Sequence, residues 1–575
     1  MGEKPNEQTI TLPGDLTREV AKAQEAWLAS RNSRRLWNAD STLWTGRDES
    51  EWLGWLDILG NKSPDANALG EFAGQLREEN FADVLLLGMG GSSLGPEVLA
   101  ESLGSAPHYP KLHVLDSTDP QQVRRFESYI DPAHTLFLVS SKSGTTLETS
   151  VLMDYFFAKA SAALGNNAGR HFAAITDPGS RLQKTAADRG FRKVFLGVPS
   201  IGGRYSVLSN FGMVPLAASG HDVQAFVEAT RVMARACGPD VPSAQNPGVT
   251  LGLTMGVLAL HGRDKLTIIA SPSLASFGAW AEQLVAESTG KNGKGITPLA
   301  GEPLGDTSVY DSHRLFVFIR DTSNPDSIQE NVVHGLERAG HPVVHIDIAS
   351  PQNLGQEFFR FEIATAVAGA ILGINPFDQP DVEASKVATR AMTDAFEKTG
   401  SLPSEPPVCA DNGIVLYTDE HNAQALRREG ANSTLESWLK AHLARLADGD
   451  YFALLAYLDA TASRTQSLQR LRVAVRDHKR VATALQFGPR FLHSTGQAYK
   501  GGPNSGVFLE ITGEPNPDVD IPGRQASFGV IEAAQARGDF RVLAERDRRA
   551  LHAHITGDVD DGLAAISEAA RRALQ

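Results

Sequence analysis

The chain has 575 residues, of which 42% are hydrophobic and 21% charged, ordinary values for a folded globular protein with mass for about four domains. A net charge of −14 argues against a general nucleic-acid binder, whose affinity comes from neutralising phosphates. Only Cys237 and Cys409 are present, so a disulfide framework and a cysteine metal site are excluded and a reducing, cytoplasmic setting fits.

The first ten residues, MGEKPNEQTI, lack the apolar core of an export signal, and the mature chain is expected to start here. From Leu16 to Leu59 tryptophans and leucines recur at helical spacing, which predicts a helical N-terminal arm (1–60) with its Trp residues in packing. Short apolar runs then alternate with helix-length segments. Candidate strands are residues 82–87, 111–115, 135–139, 171–175 and 193–196, the pattern of a doubly wound parallel α/β domain (61–240). After the Pro- and Gly-containing stretch 239–248 a second series, 265–270, 315–319 and 342–346, predicts a second such domain (245–400). The run Ile363 to Ile374 is about twelve residues long, too short to span a bilayer, and reads as a buried helix. Beyond the Pro-rich break 401–407, runs at 413–417, 451–457, 480–485 and 506–511 predict a C-terminal α/β region (408–575). Its last stretch, from Ala533 on, reads as helical and charged.

Two loops at strand ends carry chemistry. Gly88-Met89-Gly90-Gly91-Ser92-Ser93 joins a strand to a helix, where glycine lets backbone amides approach an anion. A dinucleotide fingerprint is met only in part: Asp116 suits the acidic ribose partner, but Ser93 stands where the third glycine would be. A glycine-rich structural turn is the alternative, and the hydroxyls of Ser92 and Ser93 favour a polar ligand. The second loop, Ser140-Ser141-Lys142-Ser143-Gly144-Thr145-Thr146, offers hydroxyls, backbone amides and one positive charge before a helix, which suits a phosphate monoester. It is not a Walker motif.

Three further segments complete a resemblance to the phosphoglucose isomerases, which are built from two sugar-isomerase (SIS) domains. Gly202-Gly203-Arg204-Tyr205-Ser206 is similar to that family's Gly-Gly-Arg-Tyr/Phe-Ser signature. Gln283 to Lys291 (QLVAESTGK) resembles its catalytic-base segment, and Phe377-Asp378-Gln379 through Lys386 its Phe-Asp-Gln-x-Gly-Val-Glu-x-x-Lys signature, with Asp381 where the family usually has Gly. The resemblance implies isomerisation of glucose 6-phosphate and fructose 6-phosphate through a cis-enediolate. Glu287 would be the base, Arg204 the stabiliser of the enediolate, and Lys386 and Gln379 would act around the ring and chain oxygens. Gly91, Ser92, Ser141, Lys142, Ser143, Thr145, Thr146 and Gln283 would bind substrate. It implies no cofactor and no metal, no nucleic-acid or membrane partner, and is compatible with a homodimer.

The family's ring-opening His, some thirty residues after the base, has no clear counterpart. His313 lies in that region without the surrounding motif, and His493, in a Gly- and hydroxyl-rich loop, is the stronger candidate. The C-terminal part most resembles that of the isomerase half of fused transaldolase/phosphoglucose isomerases. Only 87 residues precede Gly88, whereas a (β/α)₈ barrel needs about 250, so transaldolase activity is not expected. Isomerisation of mannose or amino sugar phosphates, and a non-catalytic SIS-domain sensor, are the alternatives.

Overall fold

The computed structural model describes residues 4–515 and 517–575. One strand, β1 (Glu7–Thr11), precedes the helices of the arm, which begin at Gly14. EQTIT has a single apolar residue, Ile10, and so shows no strand pattern in the sequence. It sits at a sheet edge, paired antiparallel with a later strand, where one side of each residue meets solvent.

The first sheet contains β2 (Asp83–Gly88), β3 (Lys111–Leu115), β4 (Thr135–Ser140), β5 (Phe172–Thr176) and β6 (Lys193–Leu196). All pairs are parallel, in the order β3-β2-β4-β5-β6. The second holds β7 (Lys265–Ala270), β8 (Thr297–Ala300), β9 (Arg314–Asp321) and β10 (Val343–Ile348), ordered β1-β10-β9-β7-β8 and parallel apart from β1. Both are covered by helices, and the Ile363 to Ile374 run falls mostly in the buried helix Leu354–Leu372. No helix among the described residues is long and apolar enough to cross a membrane.

The third sheet comprises β11 (Cys409–Asp411), β12 (Ile414–Tyr417), β13 (Tyr451–Tyr457), β14 (Ala482–Phe487), β15 (Gly506–Gly513) and β16 (Arg549–Ile555). Its order is β11-β12-β16-β15-β13-β14, with the last four strands mutually parallel. The stretch from Ala533 on is therefore helical only in part: β16, sequence RALHAHI, divides the helices Phe528–Glu545 and Val559–Leu574. Its two histidines and charged approach conceal a strand whose residues 550–553 are buried.

The arm shapes the loops ahead of it. Trp55 is fully buried and stacks on Tyr205, with ring centroids 5.1 Å apart. Trp44 meets Phe377 edge-on at 5.2 Å and donates its indole N–H to the Ala366 carbonyl. The tryptophans thus pack, as their spacing predicts, beside both Arg204 and the segment 377–379.

Candidate active site

Strand ends and helix starts bring the candidate residues together. The loop after β2 turns at Gly90, whose φ is +57°. A Cβ there would come within 2.9 Å of Gln283 Nε2 and of the His493 carbonyl oxygen. A Cβ on Gly91 would lie 2.0 Å from the Gly203 carbonyl oxygen, so this loop packs directly on the turn that carries Arg204. Ser92 is buried within it. Ser93 donates to Asp116 at 2.9 Å, and Asp116 also receives Arg490. That engagement makes Asp116 a structural anchor.

Arg204 is 3% exposed and its guanidinium is saturated. Nε donates to Ser288 Oγ (2.8 Å), Nη2 to the carbonyls of Pro376 (2.9 Å) and Asp378 (3.1 Å), and Nη1 to Gln379 Oε1 (2.9 Å). The same Nη1 lies 3.2 Å from Glu287 Oε1. An oxyanion approaching Nη1 competes only with the neutral Gln379 amide and the Glu287 carboxyl. Glu287 and Gln283 stand one turn apart on the helix Phe277–Thr289, and Gln283 Nε2 donates both to Glu287 Oε2 (3.1 Å) and to the His493 carbonyl (2.8 Å).

Lys291 escaped the sequence reading of roles. Its ammonium donates to the carbonyl of Asn375 and to Asp378 Oδ1, both at 2.7 Å, holding the loop that accepts from Arg204. Burial and the nearby Arg204 charge bring it down to about 8, against the pull of Asp378.

A cleft of about 580 Å³ is lined by Ser143, Gly144, Thr145, Thr146, Glu148, Lys386 and His493 among others. Arg204, Glu287 and Gln379 are not in its wall, and the link to them is His493, whose carbonyl accepts from Gln283. The hydroxyl loop leads into the helix Leu147–Leu164, whose N-terminal amides favour an anion. Ser141 is buried below, its hydroxyl accepting from the Gly144 amide (3.1 Å) and 3.2 Å from that of Thr146. Lys142 turns elsewhere: its ammonium pairs with Asp177 and donates to the Pro199 carbonyl. Positive charge on the cleft wall comes instead from Lys386, Arg181, Arg390 and Arg524. Lys386 is 45% exposed and 3.4 Å from Glu383.

His493 lies in this wall, beyond the carboxyl end of β14. Its Nε2 is 2.8 Å from Glu148 Oε1, and Gln535 Nε2 donates to the same oxygen at 2.6 Å. Thr118 in turn donates to Gln535 Oε1 (2.7 Å), fixing the orientation of the amide. Burial raises the Glu148 carboxyl, but the charge of His493 and its hydrogen bond outweigh burial and hold it below the usual value. Glu148 and Gln535 were not singled out from the sequence. A Glu in the first turn of a helix looks like a solvated cap, and only its 4% exposure separates it from one. His313 sits at the amino end of β9, its Nδ1 2.7 Å from the Gly262 carbonyl and its Nε2 3.2 Å from Asp448, whereas the cleft lies at carboxyl ends.

The unusual Asp381 is also accounted for. Gln497 donates to Asp381 Oδ2 (2.8 Å) and accepts from the amides of Asp381 and Val382, while Arg546 pairs with Asp381 at 2.8 Å. The C-terminal region thereby caps the helix Pro380–Thr399 that carries Lys386.

A family model described as phosphoglucose isomerase matches residues 65–301. Glucose-6-phosphate isomerase of Rubrobacter xylanophilus is 32% identical over 56% of this chain and 84% of its own length. A probable glucose-6-phosphate isomerase of Methanococcus maripaludis is 28% identical over 59% and 84%. Among solved structures, a glucose-6-phosphate isomerase from Chlamydia trachomatis superposes with a TM-score of 0.51 at 23% identity, covering 65% of this chain and 79% of that one. The chain belongs to the phosphoglucose isomerase family.

Proposed function

We propose that this protein is a glucose-6-phosphate isomerase, interconverting glucose 6-phosphate and fructose 6-phosphate. The observation that carries the reading is one connected array: Glu287 beside Arg204, joined through Gln283 to the main chain of His493, whose ring meets Glu148. The substrate phosphate sits on the hydroxyl loop at the start of the helix Leu147–Leu164. His493, oriented by Glu148, delivers a proton to the ring oxygen as the C1–O5 bond breaks, and the C1 hydroxyl passes its proton to water as it becomes the carbonyl. Glu287 then takes the C2 proton and the C–H electrons form the C1–C2 double bond of the cis-enediolate, with the negative charge on the C1 oxygen. The C2 hydroxyl passes its proton to the C1 oxygen, and as the C2 oxygen becomes the ketone the double-bond electrons take the proton back from Glu287 at C1. Arg204 stabilises the negative charge that appears only in this interval. Gln379 and Lys386 contact the sugar oxygens.

The division of the chain into an arm (1–60), two SIS domains (61–240 and 245–400) and a C-terminal region (408–575) is part of this reading, supported by one mainly parallel sheet in each of the last three, although β1 of the arm joins the second sheet as an antiparallel edge strand. The reading also assigns a cytoplasmic place in glycolysis and gluconeogenesis, supported by two unpaired buried cysteines. Every named group comes from one chain, so a homodimer is compatible with the chemistry and not required by it.

The test is a coupled assay with fructose 6-phosphate. The wild type turns it over, and Glu287→Gln loses at least about 100-fold, the lower bound for a positioned general base. Equal rates overturn the role of Glu287, and a wild type that binds fructose 6-phosphate without converting it is a sensor.

A further inference from the structure

The carboxyl ends of β13, β15 and β16 open into a second cavity of about 250 Å³, which shares no lining residue with the isomerase cleft. Tyr457 closes β13, Thr512 and Gly513 close β15, and His552 and His554 come from β16. The chain leaves β13 for β14 on one side and β15 for β16 on the other. The cavity therefore lies where the strand order reverses, the position at which open α/β sheets hold ligands. One helix, Phe528–Glu545, divides the two sites: Glu532, Ala533, Ala536 and Arg537 line the cavity, Ile531 and Gln535 the cleft.

Polar groups in the cavity wall lack partners. The Tyr457 hydroxyl and Glu532 Oε1 make no hydrogen bond, although the two residues are only 2% and 8% exposed. Such groups are costly when nothing meets them. Glu510, fully buried on β15, makes no hydrogen bond through either carboxyl oxygen, with His552 Nε2 4.0 Å from Oε1. The Thr512 hydroxyl is already shared between His552 Nε2 and His554 Nδ1, each 2.8 Å away.

Carboxyl groups dominate the charged side chains of the cavity wall. Glu405, Glu514 and Glu532 line it against a single cation, Arg537, which donates to the Pro403 carbonyl. Burial raises the Glu532 carboxyl well above its usual value, and Asp119, Asp518 and Asp459 push it the same way. Of these, Asp459 is paired with Arg125 at 3.0 Å. Burial lowers both histidines, His552 to about 3, so they carry no compensating charge. These surroundings repel an anion. A neutral polyol would meet Tyr457 but leave the carboxyl crowding unrelieved, whereas an ammonium group answers both. No group of three or more His, Cys, Asp or Glu among the described residues is arranged to hold a metal ion.

We infer that this cavity binds a small primary amine, whose ammonium is held between the Glu532 carboxylate and the Tyr457 hydroxyl. Glu532 gives up its proton as the ammonium arrives. Binding therefore releases a proton and tightens as pH rises.

Isothermal titration calorimetry of the full chain, with putrescine and sorbitol as probes, tests the inference. Putrescine binds one site per chain, more tightly at pH 8 than at pH 6, with proton release seen as a heat that changes with buffer. Glu532→Gln weakens it at least tenfold, as does the cavity-filling Ala533→Leu. Both variants keep the wild-type rate with fructose 6-phosphate, which shows that they fold. Absence of putrescine binding, or binding that neither variant weakens, overturns the inference. Sorbitol binding without putrescine binding overturns the amine and assigns a neutral polyol. The cavity and the isomerase cleft are tested by separate readouts, so either assignment can fail alone.

Discussion

The loops after β2 and β4 and the loop after β14 build the same site by different means. The first two are short, rich in glycine and hydroxyls, and present backbone amides at helix starts. The third, residues 488–505, is longer and is held by side-chain pairs: Arg490 makes a bidentate bridge to Glu97 (2.6 and 2.7 Å) and meets Asp116, Lys500 pairs with Asp539, and Gln497 holds Asp381. A phosphate can be gripped by main chain alone. The proposed proton donor, His493, needs its ring in one place, and the pinned loop supplies that. The family-model match ends at residue 301, yet the one histidine in the cleft wall among the described residues is His493.

The comparison can be broken most severely at the family's own residues. Glu287→Gln costs about 100- to 10,000-fold in kcat, and Arg204→Lys, which cannot reproduce the forked contacts of the guanidinium, about 100- to 1,000-fold by loss of oxyanion stabilisation. Initial-rate assays with either sugar phosphate measure both. At the C-terminal region, Arg490→Met leaves Glu97 and Asp116 without their cation. Asp116 is 1% exposed, so chemical denaturation should show a loss of about 3 to 5 kcal/mol.

A smaller effect sharpens the contrast through pH. Lys291 loses its proton near pH 8, releasing Asp378 and loosening the carbonyls that position Arg204. Activity then falls with a midpoint near pH 8, and Lys291→Arg, charged throughout, moves that midpoint upward in a pH–rate profile. Stability moves the other way. The folded value lies below the unfolded one of 10.5, so between them the unfolded chain binds more protons and this lysine's own contribution to stability rises with pH. Activity lost above pH 8 with no matching fall in Tm is the expected signature.

The first two parallel sheets are legible in the sequence because their central strands are apolar runs, such as Leu85 to Leu87 and Leu136 to Val139, that stop at small or hydroxyl residues. β8 escaped because it is four residues long and contains Pro298, and β16 because its histidines read as polar. At the site, glycine turns and the Arg204, Glu287 and Gln379 segments were visible as contiguous motifs. Lys142 looked like the phosphate's cation because sequence shows proximity along the chain and not the direction of a long side chain. Asp177 and Pro199, 35 and 57 residues on, claim its ammonium. Arg181 and Arg524 enter the cleft wall from other elements, and no local pattern marks them. Glu148 and Gln535 lie 387 residues apart, a distance over which single-sequence spacing carries no signal.

The most direct measurement is the steady-state kinetics of His493→Ala and Glu148→Gln on glucose 6-phosphate, with solvent exchange at C2 followed alongside. The account predicts that kcat falls at least about 100-fold for His493→Ala while KM stays within a few-fold. Glu148→Gln should shift the pH profile of kcat, because it removes the charge that orients the ring. A His493→Ala enzyme with the wild-type kcat would contradict the claim that the C-terminal region completes the active site.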